Sequence, residues 1–148
     1  MAAVDTLRQQ TAGVKNYRFY GTVETLPWFY DGPETATLHQ ALDLYGHGWQ
    51  SEANTTDVVG ITWASLEIFA NAMANAPSGT VTSQDVINGA YAMKPTNLNG
   101  FLGSPVSFSA SQQALPMRTD NDCPFVIELN QGKWSLPFGT KPFCNLPS

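Results

Sequence analysis

Few residues of this 148-residue chain have the types and spacing that catalysis or metal binding requires. The two histidines are His39, in an amphipathic segment and expected on the surface of its helix, and His47, between two glycines, and neither belongs to a recognisable metal-binding motif. There is no Gly-x-Ser-x-Gly nucleophile motif, and Gly100 and Gly103 form only a common Gly-x-x-Gly pair. The sequence therefore predicts no catalytic residue, no metal and no cofactor, and we expect that the protein is not an enzyme.

Aromatic residues are the more distinctive feature. Trp28, Phe29 and Tyr30 are consecutive in a loop, where three adjacent rings cannot all turn inward. Such rings either stack against a small solute or pack at a seam between two parts of the fold. His47, in its glycine-flanked loop, is a further candidate for ligand contact. The predicted ligand-binding residues are therefore Trp28, Phe29, Tyr30 and His47.

The two cysteines, Cys123 and Cys144, lie in proline-flanked segments. They form either one disulfide, in an oxidising compartment, or two free thiols. A disulfide between these residues, which are 21 positions apart, would stabilise the fold by roughly 3 kcal/mol in the chain-entropy model.

Composition excludes several classes of partner. The net charge is −5, and the seven basic residues are scattered, so no positive surface for nucleic acid or an anionic membrane is predicted. No apolar run approaches the roughly 20 residues of a membrane-spanning helix. Hydrophobic residues make up 43% of the chain, which is enough for a folded core in one compact unit, residues 1–148.

Periodicity and turn signals predict an α/β or α+β fold with three main helices, a few strands and a C-terminal β-hairpin. Helices are predicted from Pro33 to Tyr45 with Gly46 as cap, from a Thr55 or Thr56 cap to Pro77, and from a Thr82 or Ser83 cap to Pro95. Strands are predicted over 17–26, over 105–108, and in a hairpin around Asn130-Gln131-Gly132. A short helix over 4–12 and a polar loop over 109–122 complete the prediction.

The second helix is apolar on more than one side. Its predicted core face consists of Val58, Ile61, Leu66, Phe69, Ala72 and Met73. Val59, Trp63 and Ile68 lie off that face. Because a helix that is apolar all round is normally buried, we expect these three residues to take part in self-association.

Six segments in order resemble the C-terminal part of type I periplasmic solute-binding proteins, the branched-chain-amino-acid-binding group of ABC importers. The first segment ends in Pro and an aromatic residue, and the fifth has a Gly-x-Pro-Val-x-Phe pattern. The six segments are Phe19–Trp28, Pro33–Gly46, Thr62–Met73, Ser83–Ile87, Leu102–Phe108, and Phe125–Leu129 together with Gly132-Lys133-Trp134. Some members of this family have a similar terminal cysteine pair.

The resemblance implies a partial bilobed fold, with residues 1–27 and 109–148 in one lobe and residues 28–108 in the other. It implies binding of an amino acid or similar small polar solute without chemistry, an ABC permease as partner, and a periplasmic or extracellular location. The chain is about half the family's length and lacks the N-terminal lobe with its Ser/Thr loops. The first ten residues show no export leader, which leaves a cytoplasmic location open.

The alternative is a stand-alone structural or interaction protein derived from such a lobe, with no transport ligand. In that case we expect a homo-oligomer, in the simplest form a homodimer, that buries Val59, Trp63 and Ile68.

Overall fold

A computed structural model describes residues 13–14, 16–50, 55–74, 76–77, 79–109 and 123–144. These residues form a mixed α/β fold with three helices, as predicted, and their three strands form one antiparallel sheet. The elements in chain order are β1 (Arg18–Val23), α1 (Ala36–Tyr45), α2 (Val58–Met73), α3 (Ser83–Ala92), β2 (Phe125–Asn130) and β3 (Lys133–Ser135). The helix predicted over 4–12 and nearly all of the loop predicted over 109–122 lie outside the described residues.

The sheet has the order β1-β2-β3, with β2 in the centre. Arg18 of β1 pairs with Asn130, and Val23 pairs with Phe125. The predicted hairpin is confirmed: Gln131 and Gly132, with φ of 49° and 82°, form the two-residue turn between β2 and β3. Positive φ at both positions gives the backbone twist that tight hairpins need.

Helix α1 begins at Ala36, three residues later than predicted. The backbone of Thr35 caps it, and the Thr35 hydroxyl is used instead to order the preceding loop. Its predicted end is confirmed, since the Gly46 N–H donates to the Leu42 carbonyl at 2.7 Å.

Helix α2 buries Ala72 of its predicted core face, but four other residues of that face are exposed. Val58, Ile61, Leu66 and Phe69 are all exposed, while Val59, Trp63 and Ile68 pack against the core. The buried positions are the small residues Gly60, Ala64 and Ala72. A Cβ at Gly60 would overlap the Thr25 hydroxyl, so small side chains let this face approach its neighbours closely. The predicted cap is also corrected, because Asp57 precedes the helix and Thr55 donates its hydroxyl to the Trp49 carbonyl.

Helix α3 has the predicted cap. Thr82 accepts the Asp85 N–H, and the Asp85 carboxylate accepts the Thr82 N–H at 2.9 Å, which completes a capping box. Gly89 of α3 lies against the carbonyl of Ala72 in α2. The absence of a side chain at Gly89 sets the close packing of these two helices.

The core lies where the sheet meets the helices. Its buried members are Leu26, Leu38, Ala64, Phe101, Leu102, Val106 and Phe125. Two segments run side by side through it: Thr25 pairs with Leu102 in an antiparallel bridge, and the Leu26 N–H donates to the Phe101 carbonyl at 2.9 Å. The strand predicted over 105–108 is reduced to a single bridge between Thr96 and Val106.

A disulfide joins Cys123 and Cys144, whose Cα atoms lie 4.2 Å apart. The Phe143 N–H donates to the Pro124 carbonyl at 2.8 Å beside it. Of the two alternatives that the sequence left open, the disulfide is therefore the one found.

Candidate functional site: the aromatic seam

The aromatic seam consists of Trp28, Phe29 and Trp134. The Trp28 ring meets the rings of Phe29 and Trp134 edge-on, with centroids 5.4 and 6.4 Å apart. Phe29 and Trp134 stack at 6.1 Å with their planes 18° apart. The seam joins the loop that enters the helical region to strand β3, so these rings connect the two parts of the fold.

Hydrogen bonds within the loop that contains Trp28 and Phe29 fix the positions of these two seam residues. Leu26 fixes the start of the loop by its bond to Phe101, and Pro27, which has no N–H to donate, follows it. The Thr35 hydroxyl, fully buried, accepts the Gly32 N–H at 3.3 Å and donates to the Tyr30 carbonyl at 2.7 Å. Short polar side chains that bond to nearby backbone stabilise such turns.

The location predicted for His39 from the sequence is wrong. His39 was expected on the surface of α1, but its side chain is largely buried, and Nε2 lies 2.7 Å from the Trp28 carbonyl oxygen. Because a carbonyl only accepts, Nε2 carries a proton. Nδ1 lies 3.8 Å from Asp31, and the ring packs on that of Trp49, 4.8 Å away. His39 lies eleven residues after Trp28 in the sequence, and this spacing does not indicate that the two residues are hydrogen-bonded.

Three of the four predicted ligand-binding residues lie at the seam, and the fourth does not. Trp28, only 4% exposed, and half-buried Phe29 are seam residues, and half-buried Tyr30 follows them in the chain. His47 is exposed in the turn after α1. Trp134, which was not among the predicted site residues, completes the seam from the distant hairpin.

The carboxylates of Glu34 and Asp31, close to Tyr30, give the neighbourhood of the seam a negative character. The Tyr30 hydroxyl donates to Glu34 at 3.4 Å. Burial raises the pKa of Tyr30, and the nearby carboxylates of Glu34 and Asp31 raise it further. A positively charged group would be attracted to the same carboxylates.

Trp134 contributes a buried polar atom to the seam. Its indole Nε1 is buried and has no hydrogen-bond partner among the described residues. Leaving a buried donor without a partner costs about 1–3 kcal/mol. The seam therefore contains an N–H donor suited to an acceptor such as a carboxylate.

Other described residues form two hollows, and neither is lined by the three rings of the seam. One of about 90 Å³ adjoins the paired segments and is lined in part by Thr25, Ser65 and Leu102. A larger groove of about 570 Å³ lies between α1 and α2.

Within the described ranges, no group of three or more His, Cys, Asp or Glu residues is placed to hold a metal ion. No helix in the same ranges has both the length and the apolar character needed to cross a membrane.

Comparison with known protein families, with curated proteins and with solved structures found no match to this chain.

Proposed function

We propose that this chain is the C-terminal half of a bilobed solute-binding protein of the type I periplasmic group. It binds an amino acid or a similar small polar solute for an ABC importer and does not change the solute chemically. The observation that carries the proposal is the pair of hydrogen-bonded segments, around Leu26 and Phe101, that run between the sheet and the helices.

The distribution of elements along the chain supports this proposal. All three strands lie within residues 1–27 and 109–148, and all three helices lie within residues 28–108. The chain leaves the sheet after β1 and returns to it before β2. A bilobed binding protein needs such neighbouring crossings, because its lobes move about them when the solute is enclosed.

The chemistry beside the crossing suits the two ends of an amino acid. Tyr30, Asp31 and Glu34 favour an ammonium group, and the buried Nε1 of Trp134 offers a donor to a carboxylate. Phe29 provides an aromatic surface for the solute between them. The N-terminal lobe would close over this surface, and the closed form would dock on an ABC permease outside the cytoplasmic membrane.

Calorimetric titration tests the proposal with amino acids and with analogues that lack either the carboxylate or the ammonium group. We expect Glu34→Gln to weaken binding of ammonium-bearing solutes at least tenfold, because it removes a countercharge. Trp134→Phe keeps the ring but removes the donor, so it should weaken only carboxylate-bearing solutes.

Leu44→Ala is the matched control, because Leu44 is exposed on α1 and is neither a seam residue nor one of the carboxylates beside it. Binding in this variant should equal that of the wild type. If none of the solutes binds, or if all three variants lose binding equally, solute recognition at the seam is wrong.

A second candidate function, self-association as an interaction protein, is favoured by the outward face of α2. Val58, Ile61, Leu66 and Phe69 are 42–60% exposed there. Val59, Trp63 and Ile68, originally expected at the interface, already pack against the core, so the proposed contact moves to the exposed set. Sedimentation over a wide concentration range should then show a dimer that Phe69→Glu dissociates, and a monomer throughout would reject this candidate.

A further inference from the structure

The groove between α1 and α2 has a rigid apolar floor. Leu38 is 1% exposed, and Leu42 and Trp63 pack against the core beneath it. Side chains anchored in a close-packed core cannot easily collapse into an adjoining space. The groove of about 570 Å³ lies within the roughly 300–1,000 Å³ range of small-molecule sites.

The rim of the groove is also apolar. Tyr45, Val58 and Leu66 line it and are 81%, 42% and 60% exposed. Large apolar side chains grouped around a concavity are typical of binding sites. The eleven described residues that line the groove are fewer than the roughly 20–30 that each partner contributes to a standard protein interface. The groove by itself is therefore better matched to a small molecule than to a second copy of the chain.

The lining defines the chemistry of the occupant. Among the described residues that line the groove there is no acidic or basic side chain, and the only hydroxyl groups besides that of Tyr45 belong to Thr56 and Thr62. Transferring a charge into such surroundings without a countercharge is costly. The expected occupant is therefore uncharged and largely hydrocarbon.

The lining also sets the length of the occupant. Val58 and Leu66 are eight residues apart on α2, which corresponds to about 12 Å along the helix axis. We propose that the α1–α2 groove binds an uncharged small molecule with a medium-length alkyl chain, such as a primary alcohol, free in solution. This site is separate from the seam and does not depend on solute binding there.

Displacement of the uncharged fluorophore N-phenyl-1-naphthylamine by straight-chain 1-alkanols tests the proposal. We expect one saturable site per chain. Affinity should rise about fourfold for each added methylene, since each buried methylene contributes a constant transfer free energy. The rise should stop once the alkyl chain exceeds about 12 Å, the groove length estimated from the helix rise.

Three variants locate the site on the protein. Thr62→Phe should fill the groove and abolish displacement, and Leu66→Glu should lower the affinity for decanol at least tenfold by placing a charge on the rim. Both residues are exposed, so neither change removes core packing. Phe69→Glu makes the same kind of change on the same helix, at a residue that does not line the groove, and should leave the affinity unaltered.

Several outcomes would overturn the site. Affinity that rises with chain length without a limit would indicate non-specific partition. An equal loss in Phe69→Glu would indicate binding to the whole outward face of α2. A dimer that Leu66→Glu dissociates and alcohols do not would assign the groove to a second copy. Since Glu34 and Trp134 do not line the groove, loss of alcohol binding is distinguishable from failure of solute binding at the seam.

Discussion

Replacing Gly89 by alanine tests the close packing of α2 and α3. In a solvent-exposed helix the change would stabilise the fold by about 1 kcal/mol, because alanine has the higher helix propensity. Here an added Cβ would overlap the Ala72 carbonyl oxygen and lie 3.1 Å from its carbonyl carbon. The two helices must separate by about 1 Å to restore normal contact. Overpacking of this kind costs about 1–3 kcal/mol, which cancels or exceeds the gain in helix propensity, so we expect a net loss of up to about 2 kcal/mol.

Urea denaturation followed by circular dichroism measures this effect. With a slope of about 2 kcal/mol/M, the midpoint of Gly89→Ala should fall by up to about 1 M. Asn88→Ala, at the exposed neighbouring position, is the control and should change stability by less than about 0.5 kcal/mol. A Gly89→Ala protein that is more stable than the wild type would show that propensity dominates and would refute the close approach of the helices.

Three further predictions concern other parts of the fold. Reducing the disulfide should lower the free energy of unfolding by about 3 kcal/mol, measured by urea titration with and without reductant. Hydrogen bonds from the Thr82 side chain and backbone lower the pKa of Asp85 below its ordinary 3.8. The stabilisation of the fold by these hydrogen bonds is therefore complete above pH 3.8 and is lost as the pH falls through the lowered pKa of Asp85. The stability difference between wild type and Asp85→Asn should therefore be constant near neutral pH and shrink below about pH 4, and a constant difference down to pH 2 would contradict this. Leu26→Ala should cost about 2–5 kcal/mol because Leu26 is fully buried, whereas exposed Leu44→Ala should cost less than about 0.5 kcal/mol in the same thermal unfolding assay.

The hairpin turn and two helix caps could be predicted from the sequence because each depends on residues that are neighbours in the chain. The hairpin was predictable because Gln131 and Gly132 fall between two apolar strand segments. The Gly46 and Thr82 caps were predictable because each bonds to backbone within four residues. Such contacts depend on short stretches of chain, which sequence periodicity and turn chemistry describe well.

Contacts between distant segments were not predictable in the same way. Helix α2 is apolar all round, so periodicity could not choose between the face with Val58 and Phe69 and the face with Gly60 and Ala64. The choice follows from close packing at Gly60, against a residue 35 positions earlier, Thr25. The seam was identified only in part, since nothing in the local sequence connects Trp28 with Trp134.

The bond between Cys123 and Cys144 turns the hairpin into a covalent ring. The ring contains the central strand β2 and all of β3, with a separation of 21 positions between its two closing residues. A protease that cuts once anywhere between Pro124 and Phe143 would therefore release no fragment. The cleaved protein would migrate as one band on a non-reducing gel and separate into two pieces only after reduction.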